Sequence, residues 1–171
     1  MHPRPAACIQ RESRHHGQEM DLIRKHSEDD YAVALESWTF VDLIGKRPLL
    51  TSCFGDVFFV TGDGIWLLDT VAGQLKFVCG SEDELQEILN SRGGQEDYLM
   101  ADLVVAAHEA GIAPQGRQIY DFRVPPVLGG ANEASNLQVA EFPVAINILG
   151  QIHSQVRDLP PSSSVAGVTI T

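Results

Sequence analysis

Val57-Phe58-Phe59-Val60-Thr61, Gly62-Asp63-Gly64, Ile65-Trp66-Leu67-Leu68-Asp69 is the stretch that decides the fold class. Two β-branched and aromatic runs flank a short Gly-Asp-Gly segment, which reads as a hairpin. Val71-Ala72-Gly73-Gln74 makes a second turn, and Leu75-Lys76-Phe77-Val78-Cys79 supplies a third strand. The meander is therefore antiparallel.

Outward from it the chain turns helical. Upstream, Ser27 caps a helix whose first turn carries Glu28, Asp29 and Asp30, where the helix dipole favours acids. Tyr31, Ala34, Leu35 and Trp38 share one face of it. Downstream, Ser81 and Glu84 have capping-box spacing, Leu85, Ile88 and Leu89 give an apolar face, and Gly93-Gly94 is expected to end that helix. Leu99, Leu103, Val104 and Ala107 mark another, closed by Gly111. Strands are expected within Gly116–Val124 and Leu137–Phe142, and Pro143 opens a last helix. Segregated blocks of strands and helices predict an α+β fold with a mainly antiparallel sheet and helices packed on it, in a single domain over residues 20–158.

The ends read differently. Residues 1–19 show no apolar period and are expected to be a disordered leader, with Met20 a candidate start. Residues 159–171, rich in Pro and Ser, are expected to be a flexible tail.

Between the late strands lies Pro125-Pro126-Val127-Leu128-Gly129-Gly130, with Asn136 beyond it. Two prolines fix φ at successive positions, and two glycines permit positive φ or close backbone approach. This is expected to be an ordered loop that serves as scaffolding.

Composition narrows the function. Lys and Arg total 12 against 23 Asp and Glu, a net charge of −11. From Met20 onward nine basic and 21 acidic residues leave −12. Such a body repels nucleic acid and anionic membrane and attracts basic proteins. No apolar run reaches the roughly 18 residues of a membrane span, and no signal-like apolar stretch follows the N-terminus. Three cysteines without CxxC spacing give no disulfide framework, and a cytoplasmic protein is expected.

Catalytic signatures are missing from the sequence. There is no nucleophile elbow, P-loop, dinucleotide fingerprint or HExxH, and the histidines have no ligand spacing. No cofactor and no metal are expected. Asp56 and Asp69 flank the hairpin strands and are read as turn or capping residues. His153, on the last helix, is expected to face solvent or to bond the Pro/Gly loop.

Four segments taken together resemble a known family: Phe54-Gly55-Asp56-Val57-Phe58-Phe59, Ile65-Trp66-Leu67-Leu68-Asp69-Thr70, the Pro/Gly loop with Asn136, and Gly150-Gln151-Ile152-His153. Over roughly residues 27–158 the chain resembles the C-terminal domain of immunity proteins that protect bacteria with type VI secretion from their own DNase effectors. The resemblance implies an α+β fold without a catalytic residue and a protein partner, a basic nuclease toxin. It marks Gly55, Asp56, Trp66, Asp69, Pro125, Pro126, Gly129, Gly130, Asn136, Gly150 and His153 as family positions. The protein that names the family carries a further domain before this one, and that domain is expected to be absent here.

Candidate partner contacts are the clustered acids Asp29 and Asp30, Glu82 and Asp83, and Glu96 and Asp97. Two other readings stay open. One is a non-catalytic protein-binding module with an unknown partner. The other is an enzyme with an unfamiliar site around Asp56, Asp69 and His153.

Overall fold

A computed structural model describes residues 9–12, 19–160 and 163–171, with the backbone alone for 10–12 and 19. The chain is α+β. Its centre is a five-stranded antiparallel sheet in the order β3-β4-β5-β6-β7. These strands are Ile23–Arg24, Arg47–Ser52, Val57–Thr61, Gly64–Asp69 and Gln74–Cys79. The expected meander is β5-β6-β7. Two strands on its far side, β3 and β4, were not expected.

Period-two alternation divides the sheet into two faces. Phe58, Ile65, Leu67 and Cys79 point one way, onto α2 (Glu82–Asn90), α3 (Arg92–Leu99) and α4 (Ala101–Glu109) through Leu85, Leu89, Leu99 and Val104. Val57, Phe59 and Leu68 point the other way, onto α1 (Glu28–Leu35) and α5 (Phe142–Val156) through Tyr31, Ala34, Phe142 and Ile146. Both faces are covered, so the central strands read as continuous apolar runs.

A two-stranded ribbon, β8 (Gln118–Phe122) with β9 (Leu137–Glu141), stands apart from the main sheet. It docks where Tyr120 N–H donates to the Cys53 carbonyl at 2.8 Å. Phe54 packs there on Tyr120 and Phe122, at 5.3 and 5.8 Å between ring centres.

Three expectations change. Gly93 and Gly94 do not end α2 but lie in the first turn of α3, with Ser91 the boundary between the two helices. A Cβ on Gly94 would run into the Ile88 carbonyl, so glycine lets α3 start directly against the end of α2.

The leader expectation fails for the residues that are described. β1 (Gln10–Glu12) pairs antiparallel with β2 (Glu19–Asp21), Ile9 is buried in the core, and Leu22 N–H donates to its carbonyl. One apolar residue has no period to detect. The rest of the leader, with Cys8 and His15-His16, lies outside the described residues.

The tail, too, is held where it is described. Gln155 exchanges two hydrogen bonds with the Thr169 backbone, and Gln151 does the same with Thr171. Two extended residues rise about 6.6 Å and four helical ones about 6 Å, so glutamines four apart on α5 meet alternate tail residues.

Candidate functional site

Four of the family positions, Gly55, Asp56, Gly150 and His153, are buried, whereas Trp66, Asp69 and the Pro/Gly loop with Asn136 are partly or fully exposed. Asp56 is buried just before β5. One of its carboxylate oxygens accepts from the Thr70 N–H and hydroxyl, both at 2.8 Å, and the other from the Ser52 hydroxyl at 2.9 Å. Burial, with Asp69 adding repulsion, pushes its carboxyl up to about 6, although the Thr70 and Ser52 bonds oppose that shift.

From Thr70 the network passes to α5. His153 is 3% exposed, and its Nε2–H donates to the Thr70 carbonyl at 2.8 Å. Burial lowers its pKa, and the bond to Thr70 partly offsets this. His153 therefore neither faces solvent nor reaches the Pro/Gly loop, as the sequence had suggested. Gly150, one turn earlier on α5, and the neighbouring Ile152 are buried with it. Gly73, at φ +69, leaves room for the imidazole, which a Cβ would strike.

Gly150 fits the same layer. A Cβ there would meet Ser37 and Trp38, whose side chains donate to the α5 carbonyls of Asn147 at 2.6 Å and Ile146 at 3.0 Å. Gly55, at φ +88, is closed in by Ile146 and Ile119. Asp69 caps its own turn, accepting from Ala72 N–H and pairing with Lys76, each at 2.9 Å.

The Pro/Gly loop is ordered by Asn136. Its amide accepts from Val124 N–H at 3.1 Å and donates to the Val124 and Ala131 carbonyls, both at 2.9 Å. Pro125 is extended, Pro126 opens a single 3-10 turn, and Gly129 closes it at φ +93. A Cβ on Gly130 would collide with the Val124 carbonyl.

Asp56, Asp69 and His153 thus lie close together as an enzymatic reading requires. However, the Asp56 carboxylate and the His153 Nε2–H are already committed to protein partners. Two surface cavities, of about 450 and 600 Å³, lie elsewhere, around α1–β4 and the loop after α1. Among the described residues no group of three His, Cys, Asp or Glu is placed to hold a metal, and no helix is long and apolar enough to cross a membrane.

The acidic candidates separate into two kinds. Asp30 is 7% exposed, completes the Ser27 capping box and pairs with Arg117 at 3.0 Å. Glu96 caps α4 through Asp102 N–H at 2.9 Å. Asp29, Glu82, Asp83 and Asp97 are exposed. Residues 82–109 hold eight carboxylates (Glu82, Asp83, Glu84, Glu87, Glu96, Asp97, Asp102 and Glu109) against Arg92 alone. The α2–α4 layer therefore carries much of the negative charge on one side of the sheet.

The described residues form an α+β scaffold with a sealed polar interior and a charged outer helical layer. Residues 82–153 match the family model described as T6SS immunity protein Tdi1, C-terminal. The match supports the family that the four segments resemble, over a shorter stretch than residues 27–158. It takes in the acidic helices, the Pro/Gly loop and α5 as far as His153. No curated protein matches the chain. Among solved structures it is similar to the crystal structure of Atu4351 from Agrobacterium tumefaciens, with a TM-score of 0.52 and 16% identity. That alignment covers 76% of this chain and 66% of the other, just under two thirds, and at this identity the likeness is one of fold.

Proposed function

We propose that this chain is an immunity protein that binds and neutralises a toxin delivered by type VI secretion, and that the toxin is a nuclease with a basic surface. The observation that carries the reading is the α2–α4 layer: eight carboxylates and one arginine within the family-matched stretch. A nuclease must attract a polyanion, so the cationic surface that draws its substrate also draws an acidic inhibitor. Charge complementarity of this kind steers encounter and speeds association. Protection needs no chemistry from the immunity protein, only occupancy of the toxin.

Glu82, Asp83 and Asp97 are the exposed contacts of this layer, whereas Asp29 lies on α1 across the sheet and Asp30 and Glu96 already hold the fold. Co-expression with a type VI nuclease effector tests the proposal. Cells carrying the intact chain are expected to survive, and cells carrying Glu82→Lys/Asp83→Lys/Asp97→Lys to lose protection. Failure of the intact chain to rescue cells from, or to bind, any such nuclease at low salt contradicts it.

A further inference from the structure

The two edges of the main sheet are finished differently. β3 is two residues long and flanked by the chain itself, since the Arg24 guanidinium reaches the carbonyls of Pro114 at 2.9 Å and Gly116 at 3.3 Å. β7 is six residues long and, among the described residues, pairs only with β6. Its outward backbone groups form a template for another strand. Lys76, a side chain of the type that guards such edges, is turned inward across β6 onto Asp69. A register shift beside Val78 leaves Gln74–Phe77 as the regular part.

An aromatic anchor lies on this edge. Phe77 is 51% exposed, and its ring stands edge-on to Trp66 at 5.6 Å. Gly64, at φ +135, lies beneath that ring with no side chain to displace it. Trp66 is fixed in turn by its N–H to Asp63 at 3.3 Å and by Lys46 at 5.2 Å over its face. A half-exposed aromatic held this firmly has the character of a binding hot spot.

Charge says what fits. The β5–β6 turn brings Asp63 to the end of the sheet where β7 leads through Gly80 and Ser81 into Glu82, Asp83 and Glu84. Asp63, Glu82 and Asp83 are exposed there, and Glu84 accepts from Gly80 N–H at 2.7 Å.

We propose that β7 is the docking edge for an extended, lysine- or arginine-rich segment of the protein partner. That segment adds as a sixth strand, covers Phe77 and sets its basic side chains against Asp63, Glu82 and Asp83. The partner's identity as a toxin rests on the immunity reading; the chemistry of the edge does not.

The test uses the full chain, labelled for NMR, and two capped hexapeptides, one alternating lysine and valine and the other glutamate and valine. The lysine peptide is expected to shift the amides of Gln74–Phe77 and the Trp66 indole, and to slow exchange of the outward amides about tenfold or more at saturation. Phe77→Ala, with an unchanged urea midpoint, should weaken that binding about fivefold or more. The glutamate peptide should leave β7 unperturbed. An undisturbed β7 at millimolar lysine peptide, or equal binding of both peptides, overturns the proposal.

Toxin co-expression separates the two readings. If the wild type fails to protect, the immunity reading falls while the peptide result stands. If the wild type protects and Phe77→Ala binds the toxin equally well, the edge is not the docking site.

Discussion

The two helical layers on the sheet differ in what they add to an apolar contact. The α1/α5 layer has buried polar bonds beside its apolar core: Thr70, held by Asp56, accepts from His153 of α5, and Trp38 and Ser37 tie the end of α1 to α5. The α2–α4 layer meets the sheet through an apolar core and turns its carboxylates outward. The difference separates residues that hold the fold from residues left available to a partner. Interior polar groups tolerate few replacements because each must find its partner, so they make a fold recognisable. Exposed outer carboxylates hardly enter the stability of the chain, which leaves them to the partner we propose.

The largest expected effect is on the interior side. Asp56→Ala leaves the Thr70 N–H, its hydroxyl and the Ser52 hydroxyl without their acceptor in a buried site. A loss of about 3 kcal/mol is expected from urea unfolding. A loss below about 1 kcal/mol would erase the contrast between the layers.

Next come the loop glycines, whose reasons differ. Gly130→Ala drives a Cβ into the Val124 carbonyl and should cost about 2 kcal/mol as the loop opens. Gly129→Ala meets open space, so its cost of about 1 kcal/mol comes from the positive φ alone. Thermal melts of the pair check the order, and equal midpoints would refute it.

The pH dependence sharpens the comparison, because the perturbed groups of the α1/α5 layer pull in opposite directions. His26 stacks on Phe142 at 3.8 Å, and burial lowers its pKa to about 4. The unfolded chain takes up that proton first, so stability present above pH 6.5 is lost as pH falls through 4. His153 acts in the same direction. Asp56 opposes them: its raised pKa is a penalty at neutral pH that is relieved as pH falls from about 6 to below 3.8. His26→Phe should therefore shift the balance toward Asp56, flattening or reversing the loss of stability between pH 6.5 and 4. Parallel profiles for the variant and the wild type would show that His26 does not titrate as argued.

How far the sequence showed this architecture depends on the length of the signal. β5, β6 and β7 were legible because each run is apolar, β-branched and punctuated by a Gly turn. β4 was not, since Pro48 near its start weighs against a strand. The Gly93-Gly94 pair suggested a stop, yet it is a tight packing point, and sequence alone does not separate the two. Asp56, Gly150 and His153 were picked out as a set by family resemblance, not by spacing. Their meeting is tertiary, joining a strand entry, a turn and the last helix. Asp30 and Glu96 are indistinguishable from the exposed acids in the sequence, because capping and binding carboxylates look alike there. Ser27 at the N-cap three residues before Asp30 was the one sign that could have separated Asp30.

The smallest expected stability effect belongs to the outer layer. Each exposed carboxylate of α2–α4 contributes under about 1 kcal/mol to the fold, and Glu82→Lys/Asp83→Lys/Asp97→Lys should unfold near the wild-type midpoint.

The most direct test of the whole account is the association rate of that triple variant and the wild type with a type VI nuclease, measured by stopped flow from 0.1 to 1 M salt. Screening shortens from about 10 to 3 Å across this range. The account predicts that the wild type associates fast at low salt and slows steeply, while the folded variant is slow throughout and nearly salt-independent. Equal rates for the two proteins, with the same salt dependence, would contradict it.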